Sequence, residues 1–322
     1  MKVGILGAGS IADTVAATLV QTEGVELYAI SSRNLEKAEA FRDKFNITKA
    51  YGSYEEMLND EEVKLIYIAT PHSHHYEHMK MCIEHGKAVL CEKAFTVNAA
   101  QAREIANLAK EKGVYVTEAI WPRYMPSRKL IDDTIKSGII GNVKIMTANL
   151  SYTISQNARL VDPNLAGGAL LDVGVYGINF MIMHFGKEIE RIETAVSMTD
   201  TGVDGQESIT IFFKDGKMVN LTHGIFVRSD RKGIFYGDKG YIVVENINNP
   251  QEINVFDLED KLIKHIDVPK QISGYEYEFI ESIRCIEEGK TESDSMPLDE
   301  SIYMMELMDM VRDKWGFKYP FE

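Results

Sequence analysis

Two rhythms divide this chain. Up to about residue 120, short β-branched apolar runs alternate with segments whose apolar residues recur at helical spacing. The runs lie at 2–6, 25–31, 64–69, 88–91 and 115–118, and the amphipathic segments at 34–44, 54–59, 74–85 and 98–112. The last of these meets Gly113, in the position where glycine commonly ends a helix. Strand and helix in alternation predict an α/β unit, a doubly wound parallel sheet covered by helices on both faces.

Beyond residue 120 the texture changes. A helical pattern at 127–137 leads into a long strand-like run at 143–153, and further runs follow at 189–198, 207–213, 217–226, 231–236, 240–245, 252–256 and 262–268. Turn pairs such as Asp215-Gly216 and Lys239-Gly240 separate some of them, which predicts a large antiparallel meander. Helical patterns at 276–288 and 299–314 follow, so the second part reads as α+β. The predicted domains are 1–120 and 121–322, a division that suits 322 residues.

Composition narrows the function classes. Apolar residues make up 45% and charged residues 26%, the balance of a globular protein rather than a disordered one. A formal net charge of −14 and the absence of any basic run argue against a nucleic-acid partner. Cys82, Cys91 and Cys285 are odd in number and lack metal-type spacing, which points to a reducing compartment. Gly7, Gly9 and Asp13 interrupt the apolar start, so it does not read as a secretory leader, and no run reaches the roughly 18 apolar residues of a membrane span. The expectation is a cytoplasmic protein with no membrane partner.

The first strand runs straight into Gly7-Ala8-Gly9-Ser10-Ile11-Ala12, which opens a helix. Here the pyrophosphate of a dinucleotide would meet backbone N–H groups and the positive end of a helix. Ala12 replaces the third glycine of the fingerprint, a position that requires only close helix–strand packing. The second strand ends in Ser31-Ser32-Arg33-Asn34 with no acidic residue for a ribose. Hydroxyls beside the Arg33 guanidinium suit a 2′-phosphate, so NADP is expected ahead of NAD.

Candidate chemistry gathers at the carboxyl ends of the later strands. Thr70-Pro71-His72-Ser73-His74-His75 follows the third, Cys91-Glu92-Lys93 the fourth, and Glu118-Ala119-Ile120-Trp121 ends the fifth. His74 and His78 share a helix face, yet no carboxylate or cysteine set completes a metal site, and no metal is expected. Lys93 could donate to a substrate oxygen or pair with Glu92, two readings its position leaves open. Further on, Gly167-Gly168 introduces a helical segment that sets Asp172 one turn before Tyr176. A phenol there could shuttle a proton if an ammonium such as Lys93 lowered its pKa from about 10; otherwise it is a core tyrosine.

Taken together, these motifs resemble the Gfo/Idh/MocA oxidoreductases, and within them the branch of dihydrodiol and NADP-dependent xylose dehydrogenases. The resemblance rests on Gly7-Ala8-Gly9, Thr70-Pro71, His75, the run from Gly86 through Lys93, Glu118-Ala119-Ile120-Trp121, Gly167 through Asp172, and Tyr176. It implies a Rossmann domain followed by a largely antiparallel open-sheet domain, with substrate held between them. It further implies that Lys93 sits beside the nicotinamide and the substrate oxygen, that Tyr176 is the general acid–base, and that Asp172 helps hold substrate. His75 and Trp121 match positions of the pocket wall. Ala94 departs from the family's Glu-Lys-Pro, removing a residue that stiffens the turn.

The expected cofactor contacts are therefore Gly7, Gly9, Ser10, Ile11, Ala12, Ser32, Arg33, Thr70, Pro71, His72, His75, Glu92, Lys93 and Trp121. Those expected for substrate are Lys93, Trp121, Asp172 and Tyr176, with a carbohydrate or diol as substrate and a homodimer or higher homo-oligomer as the assembly. The rival readings are a non-catalytic dinucleotide sensor, a role known within the family, and a metal enzyme built on the histidines.

Overall fold

A computed structural model describes residues 1–322. The strands are β1 (Lys2–Leu6), β2 (Glu26–Ser31), β3 (Lys49–Tyr51), β4 (Leu65–Ile68), β5 (Ala88–Glu92) and β6 (Val116–Ala119), all parallel in the order β3-β2-β1-β4-β5-β6. Between them run α1 (Ser10–Leu19), α2 (Leu35–Phe45), α3 (Tyr54–Leu58), α4 (His75–Glu84) and α5 (Ala99–Lys112). The order reverses between β1 and β4, which opens a crevice at their carboxyl ends. Val3, Ile5, Leu65 and Leu90 are wholly buried in this sheet. Each such side chain contributes about 1.5–3 kcal/mol.

Capping residues fix where the helices begin and stop. Asn34, Ser53 and Asn98 accept hydrogen bonds from the first turns of α2, α3 and α5. Gly113 ends α5 in the left-handed conformation, as its place in the sequence suggests. The short β3 has too few residues to show a pattern and is absent from the sequence reading.

The second sheet follows α6 (Pro126–Lys136). It comprises β7 (Val143–Ser151) and, after α7 (Val175–Phe185), β8 (Ile189–Met198), β9 (Asp204–Phe213), β10 (Met218–Gly224), β11 (Gly233–Gly237), β12 (Gly240–Val244), β13 (Glu252–Phe256) and β14 (Leu262–Asp267). Their order is β14-β13-β12-β11-β7-β10-β9-β8. The expected meander is interrupted once, because β7 inserts beside β10 and pairs with it in parallel. The chain closes with α8 (Glu276–Glu287) and α9 (Leu298–Trp315).

Two compact units result, Met1–Tyr124 with Gln271–Met305 and Met125–Lys270 with Glu306–Glu322. The stretch Gln271–Met305 lies in the segment that the sequence reading gave to the second domain. Phe279 and Cys285 of α8 instead join the core of the first sheet, beside Tyr67 and Leu90. One expectation needs correction. Pro163–Phe185 is a 23-residue helical stretch long and apolar enough to cross a membrane, and residues 166–182 of it are buried. It passes that test as the core helix beneath the large sheet.

Candidate active site

The turn after β1 is set by backbone geometry. Gly7 sits at φ +103°, and a Cβ there would lie 2.9 Å from the Ala69 carbonyl oxygen, so only glycine fits. Its N–H donates to the Ser31 carbonyl at 3.0 Å, tying the turn to β2. Gly9 caps α1 in an extended conformation with no side-chain hydrogen bond, which leaves the first-turn amides without an acceptor. Gly9 and Ser10 are exposed, whereas Ala12 is wholly buried, packing the helix on the sheet. An added Cβ at Gly9 would meet nothing nearer than 3.8 Å. Open amides at a positive helix end fit a diphosphate, and Ser10 and Ile11 supply them; Ala12, expected as a cofactor contact, is instead wholly buried and packs the helix on the sheet.

At the end of β2, Ser32 is buried and accepts from the Asn34 N–H at 3.3 Å, whereas Arg33 projects to the surface. The guanidinium lies close enough to act on Tyr54, His74 and His78. Burial, reinforced by His74, His75 and Arg33, pushes His78 down to about 4, so this ring is neutral and leaves Arg33 as the charged member. That set of groups fits a phosphate on the adenosine ribose better than it fits a bare hydroxyl pair.

The histidines after β4 are tied to the chain around them. His75 is wholly buried, with Nδ1 2.8 Å from the Ala94 carbonyl and Nε2 2.8 Å from the Thr70 carbonyl. It thus braces the segments that follow β4 and β5 against each other. His78 Nδ1 lies 3.0 Å from Thr70 Oγ1, and His74 Nδ1 3.0 Å from Ser73 Oγ. His72 is buried beside the His75 ring, and Thr70 and Pro71 are partly exposed at the sheet edge.

Glu92 ends β5 buried and accepts a short hydrogen bond from the Tyr67 hydroxyl. Lys93 follows, partly exposed, and the Lys93–Ala94 peptide is cis. The Phe95 N–H donates to Glu118 Oε1 at 3.0 Å, and burial pushes Glu118 up to about 7. Trp121 stacks on Tyr275 with the rings 4.3 Å apart and nearly parallel. Nearby, Glu278 of α8 is wholly buried, and burial together with Glu92 and Glu276 holds its carboxyl well above the usual range. Tyr67, Tyr275 and Glu278 escape the sequence reading because each lies far along the chain from the motif it supports.

In the second unit, Leu170–Gly174 forms a π turn that leads into α7. The regular helical spacing expected between Asp172 and Tyr176 is therefore replaced by a wider turn ahead of the tyrosine. Both residues are only 8% exposed. Asp172 accepts from Arg159 Nη2 at 2.9 Å, and Arg159 keeps 31% of its side chain exposed. Arg159 is a further candidate for the site; it sits in the 151–160 stretch and carries no motif of its own.

So the first unit brings Gly7, Gly9, Ser10, Ile11, Ala12, Ser32, Arg33, Thr70, Pro71, His72, His75, Glu92, Lys93 and Trp121 to the carboxyl edge of one parallel sheet. The second sets Asp172 and Tyr176 on consecutive buried turns and brings Arg159, from a separate partly exposed turn, against Asp172.

Comparison with known proteins gives this arrangement its context. Residues 1–120 match a model described as an oxidoreductase family with an NAD-binding Rossmann fold, and residues 129–243 match a GFO/IDH/MocA C-terminal domain. The chain is 34% identical over 334 residues to trans-1,2-dihydrobenzene-1,2-diol dehydrogenase of Mus musculus, covering 99% of this chain and 98% of that protein. The Homo sapiens enzyme of the same name is 32% identical, with the same coverage. In fold, the chain is similar to a 3-ketoreductase from Actinomadura kijaniata in complex with NADP and TDP-benzene, with TM-score 0.90, 22% identity and 97% of each chain covered. It is also similar to a levoglucosan dehydrogenase in complex with NADH and levoglucosan, with TM-score 0.85, 17% identity, and 98% and 97% of the two chains covered. A matched Rossmann unit, a matched carboxyl-terminal domain and end-to-end relatives place the chain in the Gfo/Idh/MocA family of NAD(P)-dependent oxidoreductases.

Proposed function

We propose that the protein is an NADP-preferring dehydrogenase or reductase of a vicinal diol or sugar, with Tyr176 as general acid–base and Lys93 as its cationic partner. The observation that carries the reading is a pair of buried polar groups, Asp172 and Tyr176, held close together at the start of α7 in a chain that keeps the glycine turn and the Glu92-Lys93 pair of the family. Relatives named as dihydrodiol dehydrogenases across the whole chain support the substrate class.

Residues of the first unit would hold the dinucleotide. The amides of Ser10 and Ile11 would take the diphosphate, Arg33 the 2′-phosphate, and Thr70, Pro71, His72, Glu92 and Trp121 the nicotinamide half. When bound, that cofactor supplies the hydride acceptor for oxidation or the donor for reduction. Tyr176 accepts the proton of the substrate hydroxyl during oxidation and returns it during reduction. The ammonium of Lys93 favours the phenolate form and stabilises negative charge on the substrate oxygen. Asp172, oriented by Arg159, accepts from a neighbouring hydroxyl and so selects substrates that carry one.

The test is a panel of diols, sugars and dicarbonyls with each dinucleotide, followed by absorbance of the reduced nicotinamide. Turnover of a hydroxyl-bearing substrate with lower KM for NADP supports the proposal. Tight dinucleotide binding without turnover of any member favours a sensor.

A further inference from the structure

On the buried face of the large sheet, Glu207 of β9 stands directly opposite His223 of β10 in antiparallel register. Neither side chain is exposed at all, and His223 Nδ1 lies 3.0 Å from Glu207 Oε1. Their neighbours on the same strand faces, Ile209, Ile211, Val219 and Leu221, are ordinary core residues. Asp204, at the head of β9, is wholly buried as well.

All three polar groups press on the segment that carries Asp172 and Tyr176. Asp204 Oδ2 accepts from the Leu170 N–H, the first amide of the π turn, at 2.5 Å. A Cβ at Gly168 would lie 2.1 Å from Asp204 Oδ1; one at Gly174 would lie 2.7 Å from Glu207 Oε1. A Cβ at Gly177 would come within 2.0 Å of His223 Nε2. The turn and the start of α7 therefore rest their bare backbone on these side chains.

Stability alone does not account for such a core. Glu207 Oε2, His223 Nε2 and Asp204 Oδ1 have no hydrogen-bond partner, and each buried orphan costs about 1–3 kcal/mol. The pair carries no net charge whichever member holds the shared proton. Burial pushes the Glu207 carboxyl well up and the His223 ring down to about 3, so the uncharged arrangement is favoured. Polar groups kept at such a cost, under a turn that bears two site residues, have a role in placing that turn.

We infer that Glu207 and His223, with Asp204, are positioning residues that set the Asp172–Tyr176 turn for catalysis. This rests on the assignment of Tyr176 above. The pair touches no substrate and acts only through the turn it supports.

Replacing the pair together, Glu207→Leu with His223→Leu, removes two buried polar groups at similar volume, and Tm is expected to hold or rise by a few degrees. Turnover is expected to fall at least about tenfold, with dinucleotide affinity within about twofold. Glu207→Gln keeps a partner for the ring and should restore turnover to within about twofold, and His223→Asn, too short to reach Gly177, should lower it at least about fivefold. On a Tyr176→Phe background the paired substitution should change the rate by less than about twofold, because both changes remove one function. Unchanged turnover in the paired and His223→Asn variants overturns the inference, as does a full multiplicative loss on the Tyr176→Phe background. Undiminished turnover in Tyr176→Phe alone sinks the functional assignment instead, a distinct result.

Discussion

Arg159 donates a hydrogen bond to Asp172 across 2.9 Å, from a short helical turn thirteen residues earlier in the chain. The ion pair fixes which way a nearly buried carboxylate points, just ahead of the tyrosine assigned to proton transfer. Arg159→Ala removes that ion pair and loosens the orientation of the carboxylate. We expect kcat/KM to fall about tenfold, roughly 1.4 kcal/mol, with Arg159→Lys recovering only part of the loss because it lacks the planar fork. Steady-state kinetics on a diol substrate measure this.

Arg33 is the charged group proposed to meet the adenosine end, since His78 beside it is held neutral. Arg33→Ala should raise the Kd for NADP by about ten- to a hundredfold, the worth of a charge-assisted hydrogen bond of about 1.5–3 kcal/mol. The Kd for NAD should barely move. Titration of both dinucleotides at one ionic strength checks it.

The two glycines of the first turn should fail differently. At Gly7 a side chain meets both a positive φ and the Ala69 carbonyl, so Gly7→Ala should destabilise the protein by about 1–3 kcal/mol. Gly9 has neither constraint, and Gly9→Ala should fold normally while losing dinucleotide affinity, since the methyl occupies the side from which a diphosphate approaches. Thermal melts with and without NADP separate the two effects.

Buried carboxylates give stability a definite pH dependence. Burial pushes both Glu118 and Asp204 up to about 7 in the folded protein. Between the ordinary carboxylate range and about pH 7 these two groups hold more protons in the folded state than in the unfolded one, so their contribution to stability falls as pH rises through that window, opposite in sign to that of His78 and His223. Asp60 acts oppositely. Burial pushes it up, but hydrogen bonds from Lys49 at 2.8 Å and Tyr51 at 2.6 Å more than reverse this, to about 2. Its contribution is present above the ordinary range and lost as pH falls towards 2. Urea unfolding from pH 4 to 8 isolates the contribution of Glu118: the stability of the parent relative to Glu118→Gln should fall as pH rises.

Much of this was legible in the sequence. Alternating strand and helix patterns located the long elements of the first unit apart from α1, which only the glycine motif announced, and β8 and β13 were bounded to the residue. The motif residues stood at strand ends, where elementary topology collects them. What the chain hid were relationships across distance. The return of α8 to the first core, the Trp121–Tyr275 stack and the parallel insertion of β7 beside β10 involve segments tens of residues apart. The π turn was hidden too, because Leu170–Gly174 has the composition of an ordinary helix. Glu207 and His223 did leave a trace. Each occupies an inward position in an alternating strand, where a polar residue breaks the pattern, and such breaks mark sites worth testing.

Single-turnover hydride transfer in Tyr176→Phe, measured beside the Kd for NADP, tests the central claim most directly. The account predicts a rate at least about a hundredfold lower, the usual worth of a general acid–base, with Kd within about twofold of the parent protein. A transfer rate equal to that of the parent would contradict it.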